Sequence, residues 1–335
     1  MNRHNSLSIS KPRIALLGMG TIGKRLAETV KGIPEFELTG VGVRRLTPAL
    51  IPIIQAGIPV YCTDSNDNTS LEGVVAGDAA DLLSSSDYVL DCTPRGTGAV
   101  YSNVYNNYNL RMIYQGGESS ALAACNYCYG HGYNEAISAP SVRILSCNTT
   151  GLVRIIHSLS SSFTVQSVRA VLTRSAADPD KSLKGYVNNI LPSMGVSHHS
   201  SDAKLFWPDL EVHTQATYAP VNCGHLISMF ANLKGIHSRY EILDVLRSSP
   251  RIKVIEGRGG LTDLRDVGRG HKRNDCPDLI IWQESVQTFG ENVVLSAGVH
   301  MESIVIPETL DALFAMTRLE LDVNKAMGRS DQAIL

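Results

Sequence analysis

The pattern of apolar and polar positions divides this chain in two. Arg13 to Leu17 is a short apolar run that ends at Gly18-Met19-Gly20-Thr21-Ile22-Gly23. From Thr21 onward Ile22, Leu26, Thr29 and Val30 fall three and four apart, the spacing of one helix face. A second strand-like run, Phe36 to Val43, follows, so the chain opens as strand, helix, strand with glycines at the first junction. Further strand-like runs at Tyr88 to Asp91, Met112 to Tyr114 and Val142 to Leu145 alternate with helical stretches at Asp78 to Ser84 and Tyr101 to Tyr108. Alternation of this kind predicts a parallel sheet with helices on both faces.

After Cys147 the rhythm changes. Helical periodicity runs from Thr150 to Leu159, and strand-like stretches follow at Ser167 to Arg174, Glu211 to Pro220, Leu226 to Leu233 and Asp278 to Thr288. Ser238 to Arg247 reads as a helix with Ser238 as its N-cap. A last helix follows Pro307, with Leu310, Leu313, Phe314 and Leu321 as its buried stripe. The expected fold class is therefore α/β: an N-terminal doubly wound parallel sheet over residues 13–146, and a C-terminal α/β domain with a mixed or antiparallel sheet over 147–308. Residues 309–335 form a C-terminal helix, and the polar, Ser-rich residues 1–12 a flexible tail.

A length of 335 residues suits about two domains. A composition of 43% hydrophobic and 19% charged residues is that of a globular protein, and a net charge of −2 offers no overall field for nucleic acid or anionic lipid. Any phosphate must then be held by a local site. No apolar run approaches the roughly 20 residues that span a bilayer, and the N-terminus has no apolar h-region. Seven irregularly spaced cysteines fit a reduced, cytoplasmic protein better than a disulfide framework. Cys125 and Cys128 form a C-x-x-C pair with no second ligand pair to complete a metal site, and read as structural; no metal is expected.

Three local features carry chemistry. Gly18, Gly20 and Gly23 allow a tight turn, close approach of a pyrophosphate and tight helix packing, while the helix N-terminus faces the anion. At the end of the second strand stand Arg44 and Arg45 where an NAD-selective site places a carboxylate. Guanidinium groups suit a 2′-phosphate, which favours NADP or dual use of NADP and NAD. Cys147 lies where a strand gives way to a helix, and helix N-terminal amides stabilise a thiolate. Such a cysteine attacks an aldehyde to give a thiohemiacetal, with Asn148 and nearby amides available to the oxyanion.

The strings SCNTTGL (Ser146–Leu152), MGTIGKR, QGGE, AADP, SHH and HMESIVIPE, in order along the chain, resemble the archaeal-type (type II) phosphorylating glyceraldehyde-3-phosphate dehydrogenase family. The resemblance implies a Rossmann domain plus a catalytic domain, with the last helix packing back on the first, in a homotetramer using NADP or NAD. It makes Cys147 the nucleophile and His225 the catalytic base, with Ser146, Asn148 and Thr149 against the substrate. His198 and His199 would bind the substrate phosphate. Thr21, Ile22 and a glycine of the Gly116-Gly117 pair approach the cofactor, and Arg174 is expected on the cofactor side. The implied reaction oxidises glyceraldehyde 3-phosphate and transfers the acyl group to inorganic phosphate, giving 1,3-bisphosphoglycerate.

The chain departs from the family pattern at three places. Ser175 stands where the family usually has the second arginine of Arg-Arg-Ala-Ala-Asp-Pro, and Ala297 and Met301 stand in a stretch where the family often has glutamines. Two other readings therefore stay open: the same chemistry on another small phosphorylated or acidic aldehyde, or a non-catalytic dinucleotide-binding or redox-sensing protein. Retention of both Cys147 and His225 speaks against the second.

Overall fold

The computed structural model describes residues 10–63, 75–115, 117–175, 189–257 and 259–334. The first sheet comprises β1 (Arg13–Leu17), β2 (Glu37–Val43), β3 (Val60–Cys62), β4 (Val75–Asp78), β5 (Tyr88–Asp91), β6 (Arg111–Tyr114), β7 (Cys125–Tyr127) and β8 (Ser141–Ile144). Its strands lie in the order β4-β3-β2-β1-β5-β6-β8-β7 and every neighbouring pair is parallel. Helices α1 (Thr21–Gly32), α2 (Ile51–Gln55), α3 (Ala79–Ser84), α4 (Thr97–Asn107) and α5 (Tyr133–Ser138) connect them. After Arg13, strand β1 is apolar because both faces are covered: Ile14, Ala15 and Leu16 have no exposure. Gly23, Leu26, Ala27 and Val30 are the buried face of α1. The chain runs from β1 to β2 on one side and pairs β5 on the other, so a crevice opens at the carboxyl ends of these strands.

Helix α6 (Cys147–Ser160) leads into the second sheet, of β9 (Val165–Ser175), β10 (Leu191–Pro192), β11 (Glu211–Ala219), β12 (His225–Leu233), β13 (Ile252–Ile255), β14 (Leu279–Trp282), β15 (Gln287–Phe289) and β16 (Asn292–Val299). The order is β10-β11-β9-β12-β16-β14-β13, with β15 on β16, and the pairing is mixed: β9 is parallel to β11 but antiparallel to β12. Helices α7 (His198–Ala203), α8 (Arg239–Ser248) and α9 (Asp263–Gly270) belong to this part. Ser238 caps α8 in a reciprocal capping box with Glu241. The stretch Asp278 to Thr288 is not one strand: a 3₁₀ turn at Gln283–Ser285 splits it, with Ser285 Oγ donating back to Trp282 O.

Helix α6 lies directly on this sheet. A Cβ on Gly151 would stand 2.8 Å from Val299 and 2.9 Å from Ile227, so the glycine lets the helix touch β12 and β16. Its interior also holds Arg154, fully buried, which donates to Glu308 at 2.7 Å and to the carbonyls of Arg251, Pro277 and Ile304. Glu308 belongs to α10 (Ile306–Thr317), which is buried from Ile306 to Met316 and packs on α5, β6 and β8 of the first sheet. Gln115 donates to Thr309 at 3.0 Å and Tyr127 to Asp311 at 2.8 Å across that contact. The expected stripe fails at Leu321, which is 59% exposed: the helix stops when Arg318 turns left-handed, and Leu321 lies in the link to α11 (Val323–Ile334).

Candidate active site

A cavity of about 690 Å³ opens at the carboxyl ends of β1, β2, β3 and β5, in the range of small-molecule sites. Gly18, Gly20 and Thr21 line it, as do Arg44 and Arg45 at the end of β2. Each glycine has its own reason. Gly18 has φ +90°, and a Cβ there would lie 2.6 Å from the Cys92 carbonyl oxygen. A Cβ on Gly23 would lie 1.9 Å from the Gly18 carbonyl oxygen, so Gly23 supports the turn from behind and does not line the cavity. Around Gly20 there is open space, and no side chain caps the start of α1. The first-turn amides of a 12-residue helix are thus left for an anion, in a space that any larger residue at Gly20 would enter. These residues fit the pyrophosphate of a dinucleotide.

Ile22 packs into the core instead of lining the cavity. Gly117 lies against Arg95, and Gly116 lies outside the described residues, as does the Ala176–Pro179 part of the AADP string. Glu118, the end of QGGE, accepts from the Gly96 and Gly98 N–H groups at 2.8 and 3.1 Å, which holds the start of α4. Sequence reasoning missed Lys24, Thr47, Thr63, Thr93, Thr97 and Tyr101, all of which line the cavity. Thr63 directly follows β3 and Thr93 lies two residues beyond β5, so both could have been found from the rule that ligands sit beyond strand ends.

The second constellation gathers at the start of α6. Cys147 is its first residue and is half-buried, after Ser146 in extended conformation. Ser146 Oγ lies 2.9 Å from Thr149 Oγ1, and Thr149 Oγ1 lies 3.3 Å from His199 Nδ1. Asn148 is 1% exposed, and neither atom of its amide has a hydrogen-bond partner among the described residues. His199 is buried, and burial lowers its pKa to about 2, with His198, Arg174 and His225 adding to the effect. His198 is exposed, its ring 4.0 Å from that of His199.

His225 begins β12 opposite Val299, the residue against which Gly151 packs one helical turn after Cys147. It is 4% exposed, and its Nδ1 accepts the Ser175 backbone N–H at 2.9 Å. In the neutral ring the proton therefore sits on Nε2. Burial, then Arg174 and His300, push its pKa down to about 3, so the ring is neutral at physiological pH. Ser175 Oγ donates to Val221 O, which fixes this strand end on the segment leading to His225. Arg174 lies with the histidines and not along the cavity: its Nη1 donates to Tyr218 OH at 3.1 Å, and no carboxylate among the described residues pairs with it. Ala297 and Met301 are buried in packing, so neither supplies a polar group. Among the described residues no three His, Cys, Asp or Glu side chains group as metal ligands, and all seven cysteines are thiols.

A dinucleotide cavity on a parallel sheet, joined to a second sheet whose covering helix starts at a cysteine, is the architecture of a nicotinamide-dependent aldehyde dehydrogenase. The fold is shared with aspartate semialdehyde dehydrogenase II of Vibrio cholerae, at a TM-score of 0.65 and 11% identity over 91% of this chain and 97% of that one. Residues 146–265 match the family model described as glyceraldehyde 3-phosphate dehydrogenase, C-terminal domain. Two proteins named glyceraldehyde-3-phosphate dehydrogenase, from Hyperthermus butylicus and Aeropyrum pernix, are 35% and 33% identical to the chain, each over 97% of it and 98% of their own length. One of that name from Sulfolobus acidocaldarius is 34% identical over 91% of the chain and 92% of its own. The chain belongs to the glyceraldehyde-3-phosphate dehydrogenase family.

Proposed function

We propose that this protein oxidises glyceraldehyde 3-phosphate to 1,3-bisphosphoglycerate, with Cys147 as nucleophile. The observation that carries the reading is a helix that starts at Cys147 with two neutral buried histidines placed near its first turns, His199 against Thr149 and His225 opposite Val299, and with Arg174, which has no carboxylate partner among the described residues, acting on both histidines. The Cys147 thiolate adds to the aldehyde carbon, and the carbonyl electrons move to oxygen. His225 donates its Nε2 proton in a hydrogen bond to that oxygen, which revises the expectation that it acts as a base. The unpaired amide of Asn148 offers a second donor. The nicotinamide cofactor supplies a hydride acceptor at the aldehyde carbon. Starting from a thiolate, loss of hydride leaves the thioester with no proton to remove. Inorganic phosphate then attacks the thioester carbon, its proton goes to water, and the thiolate leaves. Arg174, with His198 and His199, faces the anionic end of the substrate.

Gly18, Gly20 and Thr21 would hold the pyrophosphate, and Arg44 and Arg45 favour NADP, or use of both cofactors, by offering guanidinium groups to a 2′-phosphate. Phe230 and Val171 are exposed on the uncovered face of the second sheet, which fits assembly of copies into a homotetramer. No helix among the described residues is long and apolar enough to cross a membrane, and a cytoplasmic location suits the cysteine usage. Mixing enzyme, cofactor and glyceraldehyde 3-phosphate tests the reading. A burst of NAD(P)H stoichiometric with Cys147 is expected, with continued turnover only when phosphate or arsenate is present. No burst with this or any other aldehyde would dismiss it.

A further inference from the structure

Arg25 stands one turn into α1, behind the glycine turn and outside the cavity lining. Its guanidinium reaches three separate places. Nη1 donates to Thr21 O at 2.9 Å, Nε to Asp275 at 2.5 Å, and Nη2 to Glu302 at 2.6 Å. Both carboxylates are nearly buried, with side chains 6% and 8% exposed. Arg273 donates to the other oxygen of Asp275 at 2.7 Å, which steadies that carboxylate. Thr21 lines the cavity, while Glu302 follows β16 by three residues, and the last residue of β16, Val299, is the cross-strand partner of His225. One side chain thus ties the start of the dinucleotide cradle to the strand end beside the catalytic corner.

A buried ion pair is a weak source of stability compared with apolar packing, but a planar fork bonded to two carboxylates fixes distance and angle. We infer that Arg25 is a positioning residue for hydride transfer, which with Asp275 and Glu302 sets the spacing between the cofactor cradle and the Cys147–His225 corner. The inference rests on the dehydrogenase reading above. An ammonium cannot reach both carboxylates and the Thr21 carbonyl in one fixed geometry, so Arg25→Lys keeps the charge and loses the strut.

The test compares wild type, Arg25→Lys and Glu302→Gln by stopped flow, with unlabelled and 1-deuterated glyceraldehyde 3-phosphate. Cofactor affinity by fluorescence titration and the labelling rate of Cys147 are measured alongside. Arg25→Lys should keep both of these and lose about ten- to hundredfold in burst rate, the scale of a misplacement near 1 Å. Its primary deuterium isotope effect on the burst should rise, because hydride transfer becomes the slow step. Glu302→Gln, which keeps the shape and one hydrogen bond, should show a smaller loss in the same direction, and carries the test alone if the lysine variant does not fold. A wild-type burst and isotope effect in the variants, or a loss confined to cofactor affinity, overturns the inference. Absence of any burst in the wild type would instead strike the dehydrogenase reading.

Discussion

The Ser175 N–H aimed at His225 Nδ1, 2.9 Å away, makes the role of the imidazole testable by side-chain replacement. If the neutral ring presents an Nε2 proton, its work is to hold the thiohemiacetal oxygen. The amide nitrogen of glutamine reaches about as far as Nε2, whereas the amide of asparagine reaches only the Nδ1 position, where Ser175 waits. Removing one preorganised donor from a developing oxyanion costs about 2.7–4 kcal/mol, or about 10²–10³ in rate. His225→Ala and His225→Asn should therefore lose about that factor in the NAD(P)H burst, while His225→Gln stays within about tenfold of wild type. Stopped-flow absorbance measures the burst, and cofactor titration and melting curves confirm that each variant is folded. A base cannot be replaced by an amide. If His225→Gln falls as far as His225→Ala, the ring takes a proton and the donor assignment is wrong.

The thiols offer a second check. Burial pushes Cys125 up to about 11, Cys276 up to about 12 and Cys128 higher still, so iodoacetamide at neutral pH should reach Cys147 before these three. Peptide mapping that finds Cys125 or Cys128 labelled first, with activity already lost, would undo the assignment. Replacing Arg44 and Arg45 with alanine should weaken NADP by about ten- to hundredfold for each guanidinium–phosphate hydrogen bond removed and leave NAD nearly unchanged; equal weakening would mean the arginines only face solvent. The pH dependence of stability has a defined sign. His225 is lowered from 6.5 to about 3 in the folded state, so its contribution is complete above about pH 6.5 and is lost as pH falls towards 3. At 1.36 kcal/mol per pKa unit this is roughly 3 kcal/mol by pH 4. Calorimetry of His225→Gln should show a shallower fall in Tm between pH 7 and 4, and an unchanged slope would count against the buried neutral ring.

The central strands of the parallel sheet were legible because they are buried on both faces and stand out as apolar runs: Tyr88 to Asp91 is β5 to the residue, whereas the short outer strands β3, β4 and β7 leave no such run. Where polar residues are buried, periodicity misleads. The apolar rhythm predicts a helix from Thr150, but α6 begins at Cys147, since Asn148 and Thr149 are polar yet buried beside the site. Leu321 failed in the opposite sense, an apolar residue in an exposed link. The recognisable strings carry more than chemistry. Glu118 holds the start of α4, Glu302 binds Arg25 and Glu308 binds Arg154, roles that depend on partners far away in sequence. Arg25 and Glu302 lie 277 positions apart, and no spacing rule links them. The Ser175–His225 bond escapes sequence reasoning for another reason: its donor is a backbone N–H, which every residue but proline carries.

Helix α6 shows how the fold supports a reactive site without closing it. Its first turn is left incompletely satisfied: Ser146 makes no capping bond to the helix amides, and the Asn148 side chain is buried with no partner among the described residues. In an isolated helix such an end would fray. Here the next turns are held from several sides. Gly151 seats the backbone against Val299 and Ile227, and Arg154 binds Glu308 together with carbonyls from separate segments. Arg251, whose carbonyl Arg154 holds, in turn binds Asp311 and Asp331 at 2.7 and 2.6 Å, which joins the helix to both C-terminal helices. Breaking one partner of such a buried set costs about 3–5 kcal/mol, more than one absent cap at about 1 kcal/mol. The helix start can therefore stay open because the rest of the helix is over-determined. On the proposed reading, the uncapped amides beside Cys147 meet the thiolate and the oxygen it creates.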